Sequence, residues 1–252
     1  MNGNWVRIAT YVLGLSLGAA LWEYFGSQVI PAFGAPLSAT VVRFFVLLSS
    51  GELATAFASS MKLFFTGFPA AVLAGSLTGL LMSRVRYLRI GIENYVMLLY
   101  VTPMVALIPF ISSILGVHFA TKFVVVFLFG FFPVLYNTLE GGRSLKPEFV
   151  DVARSFRSGE LALWRDLLIP YSLPYILTGV RQGSGRALVG VVASEFLVSG
   201  SGLGGLIQWE GGKYIQSGVL ATIAVLTAMG LLLMWAGRLL EEHFAAWRGL
   251  NR

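Results

Sequence analysis

Cysteine is absent from the 252 residues, and with it any disulfide, thiolate metal site or cysteine nucleophile. Lysine is scarce: Lys62, Lys122, Lys146 and Lys213 are followed by Leu, Phe, Pro and Tyr. A phosphate cradle of the form G-x-x-x-x-G-K-[ST] needs lysine before serine or threonine, so ATP chemistry has no such site in this chain. The two histidines, His118 and His243, have no clustered ligand residues and suggest no metal site. Charge is thin as well, 12% of residues against roughly 25% in a soluble domain, beside 56% hydrophobic residues. A soluble fold cannot hide that much apolar side chain, so the chain belongs in a lipid bilayer. Its net charge of +6 then reads as arginine-rich cytoplasmic loops rather than as a surface for nucleic acid.

Five stretches can each cross a hydrocarbon core, which takes about 20 residues. They are 8–25, 61–82, 90–112, 121–139 and 217–237. A sixth, 178–198, carries Arg181, Arg186 and Glu195 and must face protein or water on at least one side. The expected fold is all-α, one polytopic membrane helix bundle over 1–252 with about six transmembrane helices. The run "VVRFFVLL" at 41–48 is too short to cross, is broken by Arg43, and suits an interfacial helix on the outer surface. The first apolar run reaches Phe25, longer than a usual signal-peptide core, so a retained helix is expected. Pro103 and Pro109 in the third span and Pro133 in the fourth are expected as kinks.

Orientation follows from the basic residues. Arg7, Arg84, Arg86, Arg89, Arg143, Lys146, Arg154, Arg157, Arg165, Arg238, Arg248 and Arg252 fall on one set of loops and tails. Only Arg43, Lys62, Lys122 and Lys213 fall on the other. The imbalance puts both termini and the longest loop, 140–177, in the cytoplasm.

Within that loop "FVDVARSFRSGELALWRDLLIP", residues 149–170, carries six charges: Asp151, Arg154, Arg157, Glu160, Arg165 and Asp166. Pro147 can begin a helix, and Glu148 and Asp151 put negative charge in its first turn, where the helix dipole favours it. Phe149, Val152, Ala153 and Phe156 then share one apolar face. After a Ser158-Gly159 turn, a second short helix sets Leu161, Trp164, Leu167 and Leu168 on one side, and Pro170 and Pro174 close it off from the next span. Such a pair of amphipathic helices suits either the lipid interface or a protein partner.

On the sixth span Arg181, Ser184, Gly185, Leu188, Val192 and Glu195 cluster on one face. Gly179, Gly183, Ala187, Gly190 and Ser194 form a small-residue stripe roughly opposite. The small face is expected to pack in the bundle. Arg181, Ser184, Leu188, Val192 and Glu195 would then border a translocation path, with Arg186 in a buried ion pair. Glu195, about 21 Å beyond Arg181 along the axis, suits a structural hydrogen bond equally well. The glycines of "GSGLGG" at 200–205 match a dinucleotide fingerprint but follow a membrane helix rather than a strand, and read as a loop. No His/Asp/Glu constellation supports an intramembrane enzyme, so no catalytic residue is assigned. An ion-driven secondary transporter remains the alternative, with the isolated Glu195 as its support.

The charged loop resembles the cytoplasmic coupling loop of permease subunits in type I ABC importers. Asp151, Val152 and Ala153 stand at the opening triplet of its signature, usually Glu-Ala-Ala, and Ile169 and Pro170 at its Leu-Pro-like close. The signature's glycine falls at Arg157, with Gly159 two residues on. Similarity to nitrate, sulfonate and taurine permeases runs through "SSGELATAFASSM" at 49–61, "FFPVLYNTLEGGRSLKPEFVDVARSF" at 131–156, "LPYILTGVRQGSGRALVGVVASEF" at 173–196 and "SGSGLGGLI" at 199–207.

The resemblance implies a bacterial inner-membrane, multi-pass permease without a bound cofactor. Cytoplasmic ATPase subunits holding ATP and Mg would grip Phe149, Asp151, Val152, Ala153, Arg154, Phe156, Arg157, Gly159 and Pro170. A second permease copy and an extracytoplasmic solute-binding protein would complete the assembly. The substrate implied is nitrate, taurine or an alkanesulfonate, with vitamin precursors as the alternative.

Overall fold

The computed structural model describes residues 3–245; Arg248 and Arg252 of the charge count, and the side chain of His243, lie outside the described residues. Among those residues there is no strand. The helices are α1 (Gly3–Gln28), α2 (Leu37–Ser49), α3 (Glu52–Arg84), α4 (Arg86–Val101), α5 (Met104–Leu115), α6 (Phe119–Arg143), α7 (Pro147–Ser155), α8 (Glu160–Ser199), α9 (Gly202–Gly212) and α10 (Gln216–Ala245). Four of them, α1, α3, α6 and α10, are long and apolar enough to cross a bilayer alone. The number rises to six if α4 with α5, and α8 with α9, each form one broken span. This is the all-α polytopic membrane bundle that the composition implies.

The chain divides into two compact units. One runs through Ser59 and resumes over Gly200–Thr227; the other comprises Ser60–Ser199 and continues from Ala228. In the first unit the apolar stretch of α1 buries nothing, as suits a helix that meets lipid. Its end is tied to the start of α2: the Trp22 indole N–H donates to the Ala35 carbonyl at 3.1 Å, and the Ser38 amide and hydroxyl donate to the Glu23 carboxylate at 2.9 and 2.7 Å. The "GSGLGG" stretch is not the loop expected of it. Gly200 and Gly202 turn the chain with φ of +58° and +66°, and α9 then begins at Gly202, with Gly205 seated directly on the Gly200 backbone. Only glycine combines those angles with that approach.

The second unit is built around α6. Glycines of α3 let it touch the α6 backbone: a Cβ added to Gly75 would lie 2.8 Å from the Phe131 carbonyl, and one added to Gly79 would lie 2.7 Å from the Leu135 carbonyl. From the other side the small stripe of α8 does the same, Gly179 against Val134, Gly183 against the Gly130 carbonyl and Gly190 against the Phe129 ring. Lipid tails are as apolar as leucine, so close packing of this kind, rather than hydrophobic expulsion, joins membrane helices. Leu63, Phe64, Phe68, Val126, Ala187 and Val191 fill the space between.

Two expectations change here. The third span, 90–112, is not a kinked helix but two helices, α4 and α5, meeting at 101°. Pro103 lacks an N–H and forces the residue before it out of the helical region, and Thr102 is accordingly extended (φ −62°, ψ 131°). Pro109 and Pro133, by contrast, stay inside α5 and α6.

The second short helix of the charged loop does not end at Pro170 and Pro174 either. It continues without a break as α8, through a π-helical turn at Leu163–Leu168 in which the Ile169 N–H reaches back to the Trp164 carbonyl. The widened turn already interrupts the usual ladder where the Pro170 ring would collide with it. At about 1.5 Å per residue, the roughly 40 residues of α8 measure some 60 Å, twice the thickness of a hydrocarbon core. Half of α8 must therefore lie beyond the hydrocarbon.

The α6–α8 seam leaves no room for a side chain at Gly183. Gly183→Leu is expected to destabilise the protein by at least about 1–3 kcal/mol, read as a lowered thermal midpoint of the purified, detergent-solubilised protein. An unchanged midpoint would mean the seam is looser than described.

Candidate functional site

Two groups of residues singled out by the sequence can be followed into the structure, the charged stretch around α7 and the polar face of α8. Helix α7 begins with Pro147 in its first turn, carries Glu148 there and Arg154 in its last turn, so both charges complement the helix dipole. It ends in a tight reversal. The Arg157 N–H bonds the Arg154 carbonyl at 2.8 Å and the Ser158 N–H bonds the Ala153 carbonyl at 3.2 Å, with Arg157 itself at φ +57°. That pair of bonds with a left-handed residue is the helix stop that normally recruits glycine. Arg157 occupies the place of the coupling signature's glycine.

The expected apolar stripe does not face the protein's own core. Phe149, Val152 and Phe156 are 48%, 56% and 80% exposed, and Ala153 is half-buried. Val150 of α7 instead turns inward, lining with Leu145 a small cavity against Leu163, Trp164 and Leu168 at the base of α8. An ion pair holds the turn in place: Arg84, the last residue of α3, donates from Nη2 to both Glu160 oxygens at 2.9 and 3.0 Å, and Arg154 approaches the same carboxylate at 3.7 Å. Glu160 and Asp166 lie well before the expected span at 178–198. The hydrogen bond from Arg84 holds the Glu160 carboxyl below its usual range, and that from Arg165 does the same for Asp166. Asp151 and Arg154 open on a cleft of about 410 Å³ that is otherwise basic, with Arg84, Arg89 and Arg143 around it. Gly159 directly precedes α8, and Pro170 follows its π turn.

The polar face of α8 is closed in this conformation. Arg181 Nε lies 2.9 Å from Glu241 Oε2 of α10, the Thr178 hydroxyl donates to the other Glu241 oxygen at 2.8 Å, and Gly237 packs on the Arg181 stem. Ser184 and Leu188 are buried, Leu188 beside Gly230 of α10, and Val192 is half-buried. Glu195 is fully buried, with the Ser60 hydroxyl 2.8 Å from each of its oxygens. The Arg181-to-Glu195 face is therefore a packing seam here, because α10 supplies a carboxylate and two glycines to meet it and α3 supplies a hydroxyl.

Arg186 departs from its expected ion pair. It is exposed, and among the described residues no carboxylate reaches it; its guanidinium instead sits 5.9 Å from the centre of the Tyr100 ring. In the first unit, Arg43 of α2 grips the fully buried Glu210 of α9 in a two-pronged pair, Nε to Oε2 at 2.9 Å and Nη2 to Oε1 at 2.7 Å. Neither Glu210 nor Glu241 belongs to a motif or a helical face legible in the sequence. Their only local signal is that carboxylates are rare in apolar helices, so each needs a cation. Among the described residues no three His, Cys, Asp or Glu come together to hold a metal ion.

Comparison with known proteins agrees with this architecture. Residues 67–245 match the family described as the binding-protein-dependent transport system inner membrane component. An ABC transporter permease protein of Methanocaldococcus jannaschii is 29% identical over 262 residues, covering 100% of this chain and 98% of its own length. A Bacillus subtilis protein named for aliphatic sulfonate transport is 29% identical over 244 residues, 94% of this chain and 88% of that one. A riboflavin transport system permease of Chloroflexus aurantiacus is 30% identical over 218 residues, 86% and 81% of the two chains.

Two outcomes follow for the turn after α7. Arg157→Gly is expected to stabilise it by about 0.5–1 kcal/mol net of glycine's extra chain entropy, seen as slower hydrogen exchange at Ser158. Because the folded Glu160 carboxyl titrates below its unfolded value, the Arg84 clasp contributes fully above the ordinary glutamate range and is lost as pH falls through the lowered value. Hydrogen exchange across α7 should accelerate in that acidic window in the wild type and not in Glu160→Gln, whose clasp is already gone.

Proposed function

The chain belongs to the inner-membrane components of binding-protein-dependent transport systems, and we propose that it is the permease subunit of an ATP-driven importer moving a small polar solute inward by alternating access. The observation that carries this reading is α7. Its apolar stripe is largely exposed while Val150 and Arg154 turn toward the base of α8, Arg154 lying 3.7 Å from Glu160, an arrangement that presents Phe149, Val152 and Phe156 to another protein. Asp151, Ala153, Arg154, Arg157, Gly159 and Pro170 complete that surface and the turn behind it. The partner is a pair of cytoplasmic ATPases holding ATP and Mg, since no lysine of this chain stands in a phosphate-binding loop. The loop and both termini lie in the cytoplasm, as the arginine count predicts.

A second copy of the permease completes the path, and a solute-binding protein delivers to its outer side. ATP-driven closure of the ATPases favours one of two bundle states by pulling α7, and so works on the solute only through the bundle. The substrate is a small oxyanion of the nitrate, taurine or alkanesulfonate type. Support for it comes from the sulfonate-named relative together with an arginine of α8 that no carboxylate reaches among the described residues.

Each large apolar side chain that is fully buried on docking contributes about 1.5–3 kcal/mol. Phe149→Ala with Phe156→Ala is therefore expected to lower co-purification of the ATPase at least tenfold while the permease keeps its helical content and thermal midpoint. Full recovery of the ATPase and full uptake in this double variant would return α7 to a role at the lipid interface.

A further inference from the structure

Arg186 lies about 12 Å along the axis from residue 178, the inner end of the expected span, and so within the hydrocarbon layer. A guanidinium facing lipid at that depth is costly. Arg181 avoids that cost by pairing with Glu241. Arg186 has no such partner among the described residues, and the Tyr100 ring face is only a partial substitute.

What Arg186 faces is a cleft of about 290 Å³, bordered by Tyr100, Thr102, Met104, Phe129 and Pro133. This is where the α4–α5 span breaks. Backbone outside regular helix is tolerated at membrane depth only inside protein or along a wet cavity. The first turn of α5 has no side-chain cap, and Met104 and Val105 of that turn line the cleft. One turn before Arg186 on α8, Gln182 is exposed and accepts a long hydrogen bond, 3.4 Å, from the Asn137 side-chain amide of α6. A polar seam thus runs from Asn137 and Gln182 to Arg186, on a face of α8 other than the packed Arg181-to-Glu195 one.

We propose that Arg186, with Tyr100 at the broken span, is the point inside the permease where a transported oxyanion is recognised. The planar fork of a guanidinium matches two oxygens of a sulfonate, nitrate or carboxylate, which a lysine's point charge does not. The cleft suits a small ion, being at the lower end of ligand-pocket volumes. The proposal rests on the reading of this chain as an importer of small oxyanions. The same guanidinium could also hold a lipid phosphate, so the test separates the two sources.

The test uses the whole complex of permease, ATPase and binding protein in proteoliposomes, with nitrate, taurine and ethanesulfonate as probes. For whichever probe the wild type accumulates, Arg186→Gln is expected to cut uptake at least tenfold, and Arg186→Lys to fall between. Tyr100→Leu leaves the charge in place and should raise the KM for that probe. Wild-type rates in Arg186→Gln overturn the proposal and leave the importer reading standing. Accumulation of none of the three probes by the wild type overturns the substrate reading itself and this proposal with it. Should Arg186→Gln fail to assemble, Tyr100→Leu decides, and an unchanged KM overturns the proposal. Native mass spectrometry counts bound phospholipid in parallel. One lipid fewer per permease in Arg186→Gln, with probe uptake unchanged, assigns Arg186 to lipid phosphate and overturns it as well.

Discussion

A bilayer interior solvates neither charge nor bare backbone, and the packing of the spanning helices is an answer to that constraint. Glu210 is fully buried and bracketed by both prongs of Arg43. Glu195 is fully buried against Ser60, and Arg181 reaches Glu241 on a neighbouring helix. Each tie joins helices that nothing in the chain order makes neighbours. Because an orphaned charge in hydrocarbon costs far more than a loose apolar contact, these few pairs fix which helices meet, and the glycine seams fix how closely. Arg186, on the same helix as Arg181 and Glu195, stands apart as a charge with only an aromatic face beside it.

How much of this was legible in the sequence depends on whether the signal is local. Composition alone dictated a membrane bundle, and the small stripe from Gly179 to Ser194 sits where a stripe must sit, against the α6 backbone. Pro147 started α7 for a local reason, the missing N–H that costs nothing in a first turn. The pairings were out of reach. Arg43 and Glu210 are 167 residues apart and Ser60 and Glu195 are 135 apart, and no periodicity links them. A helical wheel could place Arg181 and Glu195 on one face but not say whether that face met water, lipid or α10.

Proline shows the same limit from the other side. Pro103, Pro133 and Pro170 remove the same N–H, yet one breaks a span by 101°, one stays within α6, and one follows a π turn inside a continuous helix. Where α3 and α8 pack on both sides of α6, the helix around Pro133 is held in register. Where the flanking turn can widen, as at Leu163–Leu168, the ring is accommodated. Around Thr102 the chain instead opens onto a cleft, and nothing opposes the extended backbone that Pro103 imposes.

The continuity of α8 also bears on how force could pass through the molecule. A second short helix sealed off by Pro170 and Pro174 would have left a joint between the charged loop and the span, and a joint absorbs displacement. In its place a single helix carries Glu160 at one end, Arg186 within the hydrocarbon and Glu195 near the other end. The clasp from Arg84 ties the first end to α3, and the Ser60 contact ties the other end to α3 as well. A displacement that reaches Glu160 is therefore not absorbed at Pro170 and Pro174. It must rotate or slide α8 against its two anchors on α3, and Arg186, between those anchors, moves with it.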